Sequence, residues 1–238
     1  MKTASNCIAM LLSAGIFCMI FSDTLAARNP KAPKTIVEFY NFLNPGSLQS
    51  RNAKWYAEGI VGEEIEVDVD IGNGYLKWTD PGTGGGMKTI EAALFITNDN
   101  RSILAVSRSD FDGVIDTCDL KFHEYKNGMM EEIKSGIVPA LPLALFQSEQ
   151  CDRKGLETYR PHAERARLKY ELPRYGTVIT VSVSLTGACS GLRSGDLVDA
   201  EKEKVMKLLE GCYSDSIELN WDLNKGIFTI GKTSAGKK

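Results

Sequence analysis

The most specific chemical pattern in this chain is the string GIFTIGKT at 226–233, which matches the nucleotide-binding pattern G-x-x-x-x-G-K-[ST] letter for letter. That pattern works when a glycine-rich loop wraps phosphates with backbone N–H groups and leads into a helix. Here strand-forming residues separate the two glycines, and only five residues follow Thr233. We therefore expect a last strand with a basic tail rather than a nucleotide site.

A second pattern is GACSG at 187–191, which fits the G-x-nucleophile-x-G elbow with Cys189 as the nucleophile. The elbow needs a histidine base later in the chain, whereas His123 and His162 both precede it. A disulfide would also consume the Cys189 thiol. We expect no catalytic residue at this position.

Two acidic stretches could bind calcium through carboxylate oxygens. The stretch DVDIGNG at 68–74 begins like an EF-hand loop, but Gly72 falls at a ligand position and Thr79 stands where a bidentate Glu belongs. Alternating aspartates on the wet face of a strand explain it without calcium. The second stretch is a loop around Gly113, whose candidate ligands are Asp110, Asp112, Asp116 and Asp119. Solvated loop carboxylates are the alternative, and we expect no metal.

General acid and base catalysis remains open to a chain that is rich in carboxylates. No pair of carboxylates is singled out by its spacing, because sequence spacing does not show two groups facing across a cleft. Strand parity places His123 with Lys121 and Tyr125, so we expect a surface or edge position for it. His162 lies in a charged stretch where we expect it to be solvated.

Several aromatic residues could stack on a carbohydrate or grip a partner protein. Trp78 and Trp221 lie in predicted strands, where aromatic side chains favour half-buried pleated surfaces, so we expect core packing for them. Contact with a carbohydrate or a partner and packing in the core are both open for Trp55, Tyr75, Tyr159 and Tyr175.

The first 26 residues have the three features of a cleaved secretory signal: Lys2, an apolar run from Cys7 to Phe21, and small residues up to Ala26. The run is about 15 residues, shorter than the roughly 20 that a spanning helix requires. We predict cleavage after Ala26 and a secreted or periplasmic protein without stable membrane insertion.

Export changes the interpretation of the cysteines, because cystines persist in oxidising compartments. Four remain after cleavage: Cys118, Cys151, Cys189 and Cys212. The chain contains no Cys-x-x-Cys pair, so the cysteine spacing does not indicate a zinc site. Three pairings are open, and we favour Cys118 with Cys151 and Cys189 with Cys212, because each closes a loop within one half of the chain.

The charge of the chain argues against nucleic acid as a partner. The net charge is −3, and cleavage removes one basic and one acidic residue, Lys2 and Asp23. A nucleic-acid binder would carry a basic stripe to neutralise phosphates.

Hydrophobic periodicity predicts an α+β fold, made mainly of antiparallel meanders and hairpins with a few short helices. A helix follows Thr35 and ends near Asn44, and a second spans about 199–210. Asn127-Gly128 between apolar runs predicts a hairpin. We divide the chain into a signal (1–26), an extended leader (27–34), a first β-rich block (35–136), a connector (137–166), a second β-rich block (167–232) and a basic tail (233–238).

Segments 119–133 and 216–230 resemble one another, each lying after a cysteine and each with an Asn/Gly turn. A duplicated β module would explain this likeness, and so would ordinary hairpin chemistry.

The strings NGYL at 73–76, EAALF at 91–95 and DLKFHEYKNG at 119–128 resemble a family of uncharacterised secreted bacterial proteins. The resemblance implies export and a β-rich domain, and it implies no catalytic residues.

We expect a non-catalytic binding or interaction module, without a cofactor, whose partner is a protein or a glycan. The alternatives are a secreted hydrolase that uses carboxylates and an inhibitor or immunity-type protein with a loop that fits a partner's cleft.

Overall fold

Alternating polar and apolar residues build two antiparallel sheets in the computed structural model, which describes residues 31–82, 84–113, 116–188 and 198–234. The predicted signal peptide, most of the leader, Cys189 and the end of the basic tail lie outside the described residues. The prediction of a mainly antiparallel fold with a few short helices is confirmed.

The first sheet is an eight-stranded meander in which each strand pairs with its neighbour in the chain. Its strands are β1 (Leu48–Arg51), β2 (Lys54–Glu58), β3 (Glu64–Asp70), β4 (Tyr75–Asp80), β5 (Met87–Ile96), β6 (Ser102–Phe111), β7 (Asp116–Lys126) and β8 (Met129–Glu132). The turn between β7 and β8 has positive φ at both Asn127 and Gly128 (51° and 88°), which confirms the predicted hairpin.

The second sheet contains the strands β9 (Arg167–Glu171), β10 (Val178–Ser184), β11 (Ser216–Asp222) and β12 (Ile227–Ser234), in the spatial order β12-β11-β10-β9. Together the two sheets fit a duplicated β module as one interpretation of the repeated hairpin.

The helices are α1 (Ile36–Leu43), α2 (Arg153–Thr158), α3 (Arg160–Ala163) and α4 (Asp199–Cys212), with a 3-10 turn at Leu143–Phe146. Helix α1 begins with a capping box, in which the Thr35 hydroxyl accepts from the Glu38 N–H and the Glu38 carboxylate accepts from the Thr35 N–H. Helix α4 continues two residues beyond the predicted end at about 210, and its last residue, Cys212, is buried in the core.

Both faces of the first sheet are partly covered. One face holds Leu76, Trp78 and Leu104 against Ile36 and Phe39 of α1. The other holds residues such as Phe95 and Phe122 in a core shared with the second sheet and α4; from these elements come Ile179, Val181, Leu219, Trp221, Phe228, Val205 and Leu209. Trp78 and Trp221 are buried, as predicted.

Among the described residues, no helix has the length and apolar content needed to cross a bilayer.

Candidate functional site

The acidic strand β3 and the turn after it form one side of the candidate site. Asp68 and Asp70 alternate with the inward-facing Val67 and Val69 and lie on the face away from α1. The Asp70 carboxylate accepts hydrogen bonds from the backbone N–H (3.1 Å) and the side-chain amide (2.9 Å) of Asn73. These bonds, followed by the Arg174 guanidinium, hold the pKa of Asp70 below its usual value. The expected strand with one wet face is confirmed, and its aspartates have partners within the protein.

Arg174, in the loop between β9 and β10, reaches across to both aspartates. Its Nη1 and Nη2 lie 2.7 and 3.1 Å from the two carboxylate oxygens of Asp68, and its Nε lies 3.2 Å from Asp70 Oδ2. These contacts raise the pKa of Arg174. Because a planar guanidinium bound at three nitrogens has little rotational freedom, Arg174 fixes this loop against β3.

Two tyrosine rings flank the Arg174 guanidinium. The guanidinium carbon lies 5.9 Å from the ring centre of Tyr75 and 6.0 Å from that of Tyr175, within the range of cation–π attraction. Tyr75 is buried, whereas Tyr175 is 72% exposed, the most exposed large apolar or aromatic side chain among the described residues. We call Asp68, Asp70, Tyr75, Arg174 and Tyr175 the Arg174 cluster.

A buried carboxylate supports the cluster from beneath. Glu91 is 7% exposed; it accepts from the backbone N–H of Leu172 at 2.9 Å and pairs with Lys77 Nζ at 2.6 Å. Leu172 precedes the loop that carries Arg174 and Tyr175, so Glu91 ties the start of this loop to the first sheet. Burial, and then the charge of Glu91, raises the pKa of the neighbouring Tyr75 hydroxyl.

Ion pairs continue across the same face of β1, β2 and β3. Arg51 pairs with Glu64, and Lys54 Nζ lies 2.8 Å from Glu66 Oε2. A shallow groove of about 380 Å³ lies beside this second pair, lined by Ala53, Lys54, Trp55, Glu66, Val67, Asp68 and Val69. The groove and the Arg174 cluster share Asp68.

Some of the carboxylates for which sequence spacing showed no partner accept hydrogen bonds that lower their pKa. Asp80 is fully buried and accepts from the backbone N–H groups of Ile60 (2.6 Å) and Gly82 (2.7 Å), which lower its pKa. Some carboxylates in the described residues have a shifted pKa, and in each of these the pKa is lowered: Asp70, Asp80, Asp99, Glu203 and Asp222.

The prediction of a surface or edge position for His123 is wrong. The side chain is 6% exposed, its Nδ1 has no hydrogen-bond partner among the described residues, and burial lowers its pKa. It lies beside Leu104 of β6, on the face that α1 covers. Strand parity identified the face correctly but not the helix that covers it. His162 is half-buried rather than solvated, and burial lowers its pKa also.

The second calcium candidate lies at the β6–β7 hairpin. The strand register places Lys88 opposite Asp110 and Arg108 opposite Asp119. Directly opposed side chains of unlike charge attract across a sheet, so these two carboxylates have cationic neighbours. Asp112 is exposed, and the side chain of Asp116 lies outside the described residues. Within the described part of the chain, no three His, Cys, Asp or Glu side chains are grouped to hold a metal ion.

The favoured disulfide pairing is wrong, because Cys151 bonds to Cys212, with their Cα atoms 4.3 Å apart. The bond joins the connector before α2 to the last residue of α4, 61 positions later. Packing of α2 against α4 brings these cysteines together. This is a long-range contact, which the preference for short loops did not predict. Cys118 is half-buried on β7, with its Sγ 3.8 Å from Ser109 Oγ.

The nucleotide-binding string forms the turn before β12 and most of β12 itself, which agrees with the expected last strand. Residues 189–191 of the elbow, including Cys189, lie outside the described residues. Sequence reasoning missed Arg174 altogether and gave Tyr175 two interpretations, since a turn of the type Pro-Arg-Tyr-Gly does not reveal that aspartates 104 and 106 positions away will bind the arginine.

No protein-family model matches this chain, and no curated protein matches it. Among solved structures, it is similar to a domain of an uncharacterised protein from Porphyromonas gingivalis W83, with a TM-score of 0.52 and 12% sequence identity. The similarity covers 78% of this chain and 81% of that chain. At this identity the comparison shows the fold alone.

Proposed function

We propose that this protein is an exported, non-catalytic interaction module, and that its partner docks on the Arg174 cluster. The exposed ring of Tyr175 carries the proposal. Tyrosine and arginine are enriched where interfaces gain most of their binding energy, and a ring that is already held in place loses little entropy on binding. The Arg174 guanidinium, fixed by its bonds to Asp68 and Asp70, lies 6.0 Å from the centre of this ring and favours its position by cation–π attraction.

The electrostatics of the site favour binding over carboxylate hydrolysis. On the face around the cluster, Asp68, Asp70, Glu64, Glu66 and Glu91 each pair with a lysine or arginine. A retaining or inverting hydrolase needs two carboxyl groups that face one another across the substrate, whereas each carboxylate of this face contacts a cationic side chain. Such a surface offers hydrogen-bonding side chains and one aromatic ring, which suits a protein or a glycan.

Export is part of the same proposal. Its support is the signal-like pattern of residues 1–26 together with the Cys151–Cys212 disulfide, which fits an oxidising compartment.

An inhibitor or immunity-type protein is the second candidate. The β9–β10 loop favours it, because Tyr175 lies in a short loop that could enter a partner's cleft. If the partner is an enzyme, and if binding lowers its activity, the second candidate is the correct description.

The test is affinity capture of partners from periplasm or culture medium, with Tyr175→Ala compared against the wild type. We expect the variant to lose a retained protein or glycan. Ile71→Ala is the matched control, since Ile71 is exposed on the nearby β3–β4 turn but lies outside the cluster. Equal retention by the wild type and Tyr175→Ala, or no retention by the wild type, would contradict the proposal.

A further inference from the structure

The four outer strands of the two sheets differ in how their backbone edges are protected. An unpaired edge presents N–H and C=O groups that can bind another strand, and proteins ordinarily block it. On β1, the Asn41 side chain of α1 binds both backbone groups of Leu48, accepting from its N–H at 2.9 Å and donating to its carbonyl at 3.1 Å. On β8, the edge is four residues long and carries Glu131 and Glu132.

The outer strand β9 is protected by side chains of the first sheet. The Ser107 hydroxyl donates to the Tyr170 carbonyl at 2.9 Å, and Glu91 accepts from the Leu172 N–H. Ser107 and Glu91 are directly opposite one another on β6 and β5. These two neighbouring side chains therefore satisfy backbone groups along the side of β9 that faces the first sheet.

The outer strand β12 is longer and is protected only at its start. It has eight residues, and the Phe228 N–H donates to the Ile137 carbonyl at 2.7 Å. This bond shows that the backbone groups of Phe228 point away from β11. Alternate residues of a strand point their backbone groups to the same side, so those of Ile230 point outward as well. Outside the ladder with β11, no backbone group of the described residues forms a hydrogen bond with the N–H or the C=O of Ile230.

The side chains along this open edge differ between the two faces of the sheet. Ile230 has the same parity as the buried Phe228, yet it is 47% exposed where the core ends. A bulge opposite Glu218 then interrupts the alternation of side chains. Because Thr233 lies opposite Ile217 on the core face, its neighbour Lys232 lies on the polar face. Lys232 is exposed and forms no ion pair with any described residue. The edge thus offers backbone hydrogen bonds, an apolar contact on one face and, next to the Glu218 carboxylate of β11, the positive charge of Lys232 on the other.

We propose that the outer edge of β12, from residue 229 to 234, binds an extended acidic segment of another protein by β-strand addition. Main-chain hydrogen bonds to Ile230 supply the pairing, and alternate side chains supply the selectivity. The fitting segment alternates an apolar residue beside Ile230 with a carboxylate beside Lys232. A second copy of β12 fits less well, because antiparallel self-pairing across this short stretch brings two Lys232 side chains onto the same face. The surface is separate from the Arg174 cluster and does not depend on Tyr175.

The test is fluorescence anisotropy of the purified protein with a labelled eight-residue peptide that alternates valine and glutamate. We expect saturable binding, and about tenfold weaker binding of the matched peptide with lysine in place of glutamate, because a like charge then meets Lys232. Lys232→Glu is expected to reverse that preference. Tyr175→Ala is expected to leave both affinities unchanged, which separates this surface from the proposed function.

Ile230→Pro removes the outward N–H without removing a bond to β11, and Ile230→Val keeps that N–H. We expect loss of peptide binding in the proline variant alone. Hydrogen exchange of the wild type gives a second readout that does not depend on the folding of a variant: the Ile230 amide is expected to become protected when the peptide is added. Absence of binding to the wild type, or an Ile230 amide that exchanges equally fast with peptide, would overturn the proposal. So would sedimentation showing a dimer of the free protein that Ile230→Pro dissociates, since the occupant would then be a second copy.

Discussion

His123 places a polar ring inside the apolar layer beneath α1, and this position has a consequence for stability. Its folded-state pKa lies below its ordinary value because burial disfavours the charged form; Glu132 opposes this shift and Lys121 adds to it. The unfolded chain therefore takes up a proton at His123 before the folded protein does, once the pH falls below about 6.5. The folded state is thus expected to lose stability as the pH falls through this range.

His123→Gln removes this titration while keeping a polar side chain of similar length. Between pH 7.5 and pH 5.5, we expect the free energy of unfolding to fall less in the variant than in the wild type. Urea unfolding at the two pH values measures the difference. An equal fall in both proteins would show that His123 is not responsible.

Asp80 has the opposite dependence, because its pKa is lowered by the backbone donors of Ile60 and Gly82. Its contribution is fully present above the unfolded-state pKa of about 3.9 and is lost as the pH falls through the folded-state pKa. We expect Asp80→Asn to destabilise the protein by about 1 kcal/mol at pH 7, since the amide keeps one acceptor oxygen and one of the two part-buried backbone N–H groups loses its acceptor. That difference should shrink at pH 3. Glu149→Gln, at an exposed site, is the control and should change neither value.

At the scale of elements, Glu91 connects β5 of the first sheet to the end of β9 in the second. Glu91→Ala leaves the buried Leu172 N–H without an acceptor, so we expect a loss of about 1 to 3 kcal/mol and faster hydrogen exchange at Leu172. Glu91→Gln retains an acceptor oxygen and should lose less. Lys77→Ala tests the ion pair separately, and its effect should be smaller because Lys77 is half-exposed. Urea unfolding and amide exchange measure both effects, and identical results for Glu91→Ala and Glu91→Gln would contradict the role of the hydrogen bond.

At the scale of the whole molecule, the Cys151–Cys212 bond spans 61 positions and joins the connector to α4. Peptide mapping without reduction should recover Cys151 linked to Cys212; recovery of Cys118 linked to Cys151 would contradict the structure. Closing a loop of this length restricts the unfolded chain, so replacing both cysteines with alanine should lower the free energy of unfolding by about 2 to 4 kcal/mol.

Export can be checked on the intact protein. If residues 1–26 act as a cleaved signal, the mass of the protein recovered from periplasm or medium should correspond to a chain that begins at Ala27. Substitution of the small residue Ala26 by Trp should block cleavage and leave the longer form. A full-length mass for the wild type would contradict the prediction.

The sequence by itself determined the local features. Period-two alternation in β3, the Asn127-Gly128 turn and the helix after Thr35 all depend on residues within a few positions of one another, and each is present. It also explained the nucleotide-like string as a strand, since the residues between its glycines favour extended backbone.

Only the tertiary structure decided which distant residues meet. The capture of Arg174 by Asp68 and Asp70, the burial of His123 under α1 and the pairing of Cys151 with Cys212 all join positions far apart in the chain. The same is true of the sheet edges: Asn41, Ser107 and Glu91 bind backbone groups of β1, of β9 and of the residue after β9, and the Ile137 carbonyl accepts from Phe228 of β12. Such contacts follow from how sheets and helices pack, a cooperative property of the folded chain that local periodicity does not encode.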